Sequence, residues 1–123
     1  MNKKPLIVII EDDDWLASHH KRLLEADGYR TSVVSNALDA IDRLDDETPA
    51  AIILDIWLPG PNGIALLHEM QSHKDLAGIP VVLCTSAADA VKGIDLAAYG
   101  VRKVVDKNTM ELDSLVVAIR ELV

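Results

Sequence analysis

Two apolar runs in this chain stop abruptly at carboxylates. Residues 5–10 lead into Glu11-Asp12-Asp13-Asp14, and Ile52-Ile53-Leu54 leads into Asp55. A short apolar run bounded in this way reads as a buried strand that delivers its acid to the strand's carboxyl end. Beyond Asp55 come Pro59, Gly60, Pro61, Asn62 and Gly63, turn-forming residues that put the acid at the mouth of a loop. Two further apolar runs end in groups of complementary chemistry: Val81-Val82-Leu83-Cys84 in Thr85 and Ser86, and residues 101–105 in Asp106-Lys107. Gathered together, Glu11, Asp12 and Asp55 can hold Mg²⁺. Lys107 and Thr85 can then meet a transferred phosphoryl group with opposite charge and a hydrogen bond.

For these groups to meet, the strands must share one sheet with their carboxyl ends side by side. Candidate strands are residues 6–10, 31–34, 50–54, 80–84 and 101–105, with helical patterns between them. The first helix, about residues 14–27, places Leu16, His20, Leu23 and Leu24 on one face and stops at Gly28. Asp13 and Asp14 read as its N-cap and first-turn residues rather than as metal ligands. The second helix starts near Ser35-Asn36 and turns Ala37, Ala40, Ile41 and Leu44 inward. The third opens at Asn62-Gly63 and carries Leu66, Leu67 and Met70. The last follows Thr109 with Leu112, Leu115, Val116, Ile119 and Leu122. Residues 87–98, rich in alanine with a glycine at 93, predict a short or mobile helix. Strict βα alternation predicts an α/β fold, a parallel sheet with helices on both faces. The unbroken apolar strands at 6–10, 50–54 and 80–84 suit central positions, and the more polar 31–34 suits an edge.

The totals narrow the function. A chain of 123 residues fits one domain spanning 1–123. Twenty acidic against twelve basic residues give a net charge of −8, which argues against direct nucleic-acid binding. No apolar run reaches the length of a membrane span, and the run after Lys3-Lys4 is too short for a signal peptide. Cys84 is the only cysteine, so no intrachain disulfide forms and a reducing cytoplasm is the expected location.

Glu11-Asp12 after a strand, Asp55 with Leu58-Pro59-Gly60 and Asn62-Gly63, Thr85-Ser86-Ala87, and Lys107 stand in one register along the chain. In these motifs and their intervals the chain resembles the receiver domain of two-component response regulators, over almost its whole length. The resemblance implies a flavodoxin-like (βα)5 three-layer sandwich with strand order 2-1-3-4-5. It implies that Asp55 accepts a phosphoryl group from a sensor histidine kinase, a phosphotransfer protein or a small phosphodonor. Mg²⁺ would be held by Asp12, Asp55 and the backbone carbonyl of Trp57, with Glu11 acting through water. Lys107 would pair with the phosphoryl oxygens and Thr85 would hydrogen-bond one of them. The domain would act alone or with an output domain or downstream protein, as a phosphoacceptor that assists its own phosphorylation and dephosphorylation rather than as an enzyme.

Two positions depart from the family's pattern. Val104 stands where a tyrosine or phenylalanine usually precedes the lysine by three, and Asn108 stands where a proline usually follows it. Tyr99 is a candidate substitute aromatic. A trans Lys107–Asn108 bond is expected, because a cis bond before a non-proline residue costs roughly 2.5–4 kcal/mol. These departures favour a rival reading, a pseudo-receiver that binds proteins without being phosphorylated; the complete acidic set argues against it. A phosphatase with Asp55 as nucleophile would want a second aspartate at position 57, where Trp57 stands, and no Gly-x-x-x-x-Gly-Lys marks a P-loop. His19, His20, His68 and His73 form no ligand pattern: one of the first two is expected to pack inside and the others to face solvent. Trp15 and Trp57 are expected near the pocket rim, covering core edges.

Overall fold

The computed structural model describes residues 4–123. In chain order the elements are β1 (Leu6–Ile10), α1 (Asp14–Ala26), β2 (Arg30–Val34), α2 (Ala37–Asp46), β3 (Ala51–Leu54), α3 (Gly63–Gln71), α4 (Lys74–Ala77), β4 (Val81–Thr85), two 3-10 turns (Ala88–Val91 and Leu96–Tyr99), β5 (Val101–Asp106) and α5 (Ser114–Leu122). All five strands are parallel, in the order β2-β1-β3-β4-β5. Every residue of β1, β3 and β4 is buried, which is why these strands carry no polar alternation. β2 and β5 are the edges and are only partly covered.

The two sheet faces use alternate residues of the same strands. Val8, Ile10, Ile52 and Leu54 pack under Ala40 and Leu44 of α2 and Leu66 and Met70 of α3. Ile7, Ile9, Ile53 and Val82 pack under Ala17 and Leu24 of α1 and Leu115 and Ile119 of α5. Each fully buried Ile or Leu contributes roughly 1.5–3 kcal/mol of burial free energy, so the doubly covered centre fixes strand register firmly. Three helices start on side-chain caps. Asp13 accepts from Leu16 N, Asn36 from Asp39 N and Asn62 from Ala65 N, each worth about 1 kcal/mol.

Several local expectations change. The last helix begins at Ser114, not after Thr109, and Leu112 is 77% exposed. Thr109 N and Met110 N both donate to Asp106 O, and Glu111 N donates to Ser114 Oγ, so the chain turns here before a helix can start. Met110 fills the core edge instead. The stretch 87–98 forms the first 3-10 turn and most of the second, and Val91 of the first is buried in the core. The single-turn α4, anchored by buried Leu76, had no counterpart in the sequence reading. No cis peptide bond occurs among the described residues, so Lys107–Asn108 is trans as expected. β5 carries an irregularity: Val101 pairs with Val81 but Lys103 with Val82, leaving Arg102 as an extra residue. No helix among the described residues is long and apolar enough to cross a membrane.

Candidate functional site

Strand register brings the acids together. Ile10 lies opposite Leu54, so the next residues, Glu11 and Asp55, emerge side by side at the carboxyl edge. Asp55 N donates to Ile10 O at 3.1 Å and Glu11 N to Val34 O at 3.0 Å, carrying the ladder one step past each strand. Single carboxylate oxygens of Glu11, Asp12 and Asp55 all lie within 4.8 Å of one another. Glu11 and Asp55 are buried, whereas Asp12 faces solvent.

Lys107 arrives from the far edge. Thr85 lies opposite Asp106, and Lys107 N donates to Thr85 O at 3.0 Å. Its ammonium then reaches across β4 to donate to Glu11 Oε1 at 2.5 Å and to Asp55 Oδ2 at 2.9 Å. Burial alone would lower the lysine's pKa, but the hydrogen bonds and charges of Glu11 and Asp55 outweigh it and hold the ammonium protonated, above its ordinary value. For Glu11 burial is the largest influence and pushes the carboxyl up, against the hydrogen bond and charge of Lys107. Three carboxylates and one ammonium leave two formal negative charges around this point, and hard oxygen donors in that number fit Mg²⁺.

The loop after Asp55 is held tightly to it. Trp57 N donates to Asp55 Oδ1 at 3.3 Å, and Gly63 N to Ile56 O at 2.7 Å. A Cβ on Gly63 would stand 2.5 Å from Asp55 O and 2.8 Å from Ile56 Cα, so only glycine lets α3 start against the phosphoacceptor candidate's own backbone. Gly60 at φ 74° supplies the left-handed residue of the intervening turn. Thr85 closes β4, fully buried, and its hydroxyl oxygen accepts from Ala87 N at 3.0 Å.

Two features escaped the sequence reading. Lys107 bonds Glu11 directly as well as Asp55; charge alone could have suggested this, since Glu11 is the other buried acid. Asn108 Nδ2 donates to Ser86 O at 3.1 Å, tying the loops after β4 and β5 together at the position that departs from the family's proline. Tyr99 is not a substitute for the aromatic expected at 104. It precedes β5, at the amino end of the strand, and its hydroxyl is held by His68 Nε2 of α3 at 3.0 Å. Val104 itself is 43% exposed. Of the first two histidines, His20 is the buried one. Trp15 and Trp57 follow the acids in sequence but are 72% and 57% exposed, so neither covers the core.

Comparison with known proteins agrees with this architecture. The sequence matches the response regulator receiver domain family over residues 7–120. It is 33% identical over 87 residues to the polar-differentiation response regulator DivK of Brucella anthropi, covering 71% of this chain and 69% of that protein. Other relatives are longer: the match to the DNA-binding response regulator MtrA of Mycobacterium tuberculosis, 29% identical over 85 residues, covers 69% of this chain and only 36% of that protein. Among solved structures, the signal receiver domain of a signal transduction histidine kinase from Syntrophus aciditrophicus superposes with a TM-score of 0.84 at 30% identity, covering 96% of this chain and 89% of that one. The response regulator protein TrrA of Thermotoga maritima, solved in complex with Mg(2+)-BeF, superposes with a TM-score of 0.82 over 97% of this chain and 99% of that one. At 22% identity that likeness speaks to fold alone. The parallel sheet of order 2-1-3-4-5, the acids at its carboxyl edge and the match over nearly the whole length lead to one conclusion: the chain belongs to the response regulator receiver domain family.

Proposed function

We propose that the chain spans one receiver domain, residues 1–123, which takes a phosphoryl group onto Asp55 in a Mg²⁺-dependent reaction. The observation that carries this reading is the meeting of Glu11, Asp12 and Asp55 within 4.8 Å, with the Lys107 ammonium between two of them. Glu11, Asp12 and Asp55, with the backbone carbonyl of Trp57, would hold the ion; TrrA, crystallised with Mg(2+)-BeF, is a precedent in this fold. When bound, Mg²⁺ neutralises charge on the phosphoryl oxygens. An Asp55 carboxylate oxygen attacks phosphorus as the P–N bond of a phosphohistidine breaks, and the bonding pair leaves with the imidazole. Lys107, already 2.9 Å from Asp55 Oδ2, meets the incoming oxygens with positive charge. The Thr85 hydroxyl supplies a hydrogen bond from the next strand. A carboxylate needs no base to activate it, so the protein contributes positioning and charge.

The donor would be a sensor histidine kinase or phosphotransfer protein in the cytoplasm, and the domain would assist its own phosphorylation and dephosphorylation rather than turn over a substrate. Output would pass to a partner protein or an attached domain. One observation favours the pseudo-receiver alternative: the edge position that carries the family's aromatic holds the half-exposed Val104, while Tyr99 is engaged with His68. Incubation with acetyl phosphate and Mg²⁺, followed by intact mass measurement, separates the two. The parent chain should gain the mass of one phosphoryl group and Asp55→Asn should gain none. A gain that persists in Asp55→Asn would remove Asp55 as the acceptor, and no gain in the parent would favour the pseudo-receiver.

A further inference from the structure

Helices α2 and α3 stand on the same face of the sheet and leave between them an open groove of about 500 Å³. Its apolar lining is Ala37, Leu38 and Ile41 from α2, Pro61 from the preceding loop, and Ala65 and Leu66 from α3. Leu38 is 69% exposed, so the lining is open to solvent along one side. The rim is acidic on both helices: Asp42 lies on α2 and Glu69 on α3, and no basic residue among the described residues lines the groove. The outer surface of α2 continues the same sign with exposed Asp39, Asp45 and Asp46. Arg43, the only cation in α2, is drawn away to Ser32 on β2.

An apolar trough with acid on both banks is complementary to one kind of ligand surface. We propose that the α2–α3 groove docks a basic amphipathic helix of a partner protein. Its apolar ridge would lie between Leu38 and Ala65, and its flanking lysines or arginines would face Asp42 and Glu69. A second copy of this chain fits poorly, because matching faces would oppose acid to acid in a molecule of net charge −8. Asp55 is not among the residues that line the groove, and docking to the unphosphorylated protein stands or falls independently of the phosphoacceptor assignment.

The test uses the full, unphosphorylated chain and two synthetic helical peptides with one shared leucine ridge. One peptide carries lysine on both flanks and the other glutamate. Fluorescence anisotropy should show the lysine peptide binding at least about tenfold more tightly than the glutamate peptide. Leu38→Asn should weaken binding by about tenfold, and the double variant Asp42→Asn/Glu69→Gln by a similar factor. The control Asp45→Asn/Asp46→Asn removes the same charge from the same region outside the groove, and should change affinity by less than about twofold. Circular dichroism checks that each exposed-site variant is folded. The proposal is overturned if the control loses as much affinity as the groove variants, which would mean diffuse attraction, or if Leu38→Asn binds like the parent. Absence of binding by the lysine peptide also overturns it. So does self-association in sedimentation that Leu38→Asn abolishes, which would assign the groove to a second copy.

Discussion

His20 sits at the midpoint of α1, 4% exposed, with no hydrogen-bond partner for Nε2 among the described residues. Burial, helped by the nearby charges of His19 and Lys107, lowers its pKa to about 4 from an ordinary 6.5. Above pH 6.5 the imidazole is neutral in folded and unfolded chains and contributes no pH dependence. As pH falls below 6.5, the unfolded chain takes up a proton that the folded chain refuses, so stability declines until the folded pKa is reached. The full loss across that window is about 3 kcal/mol, from roughly 1.4 kcal/mol per unit of displacement. Between about pH 7.5 and about pH 5.5 the loss should be about 1 kcal/mol. That range stays above the isoelectric point near 4.8, where association would intrude. Urea unfolding followed by far-ultraviolet circular dichroism, on the parent and His20→Leu, provides the measurement. At the upper pH the difference between the two proteins reports packing and sets the baseline. On acidification the parent should lose about 1 kcal/mol relative to the variant. Glu11 and the other carboxyls titrate in both proteins and cancel in this comparison. A difference that stays constant with pH would refute the reasoning, because it would mean that the folded chain accepts the proton as readily as the unfolded one.

Three further outcomes are expected. Lys107→Ala leaves Glu11 and Asp55 as facing buried charges, with side chains only 4% and 6% exposed. The variant should lose about 3 kcal/mol without divalent ions, and Mg²⁺ should raise its melting temperature more than the parent's; equal melting temperatures in chelator would contradict this. Gly63→Ala places a methyl group 2.5 Å from Asp55 O and should cost about 1–3 kcal/mol in urea unfolding, whereas an unchanged midpoint would mean that α3 can shift freely. On phosphorylation, hydrogen exchange should slow across residues 87–98 as well as in the loops around Asp55; protection confined to those loops would exclude a relay through the 3-10 turns.

The centre of the fold was legible because each central strand is an apolar run wholly covered on both faces, and because capping residues such as Asp13, Asn36 and Asn62 announce helix starts. The candidate site was legible for the same reason: a carboxylate directly after Leu54 has nowhere to go but the sheet's edge. Periodicity failed where local hydrogen bonds decide. Leu112 fits the helical spacing of Leu115 and Ile119, yet the turns at Asp106 and Glu111 exclude it from the helix. Four residues of α4 are too few to show a period. Tyr99 illustrates a different limit. Its distance in sequence from position 104 is small, but Tyr99 lies before the amino end of β5 whereas Val104 lies inside the strand, paired with Leu83 in the middle of β4.

The extra residue in β5 has a consequence for how this edge tolerates change. A parallel strand has a phase of two, so one residue more or less reverses which side each later residue faces. Val101 must meet Val81 at one end, while at the other Asp106 must meet Thr85 for Lys107 to reach Asp55. Five residues of β5 after Val101 span only four of β4 after Val81, and Arg102 absorbs the mismatch. If Arg102 instead paired with Val82 and no residue were left out, Val105 would meet Thr85, and Lys107 would be carried one place too far with its side chain swung to the other face. The bulge thus works as a phase adjuster. The turns that lead into the strand answer to packing, and the lysine that leaves it answers to the acids, without either dictating the other's register.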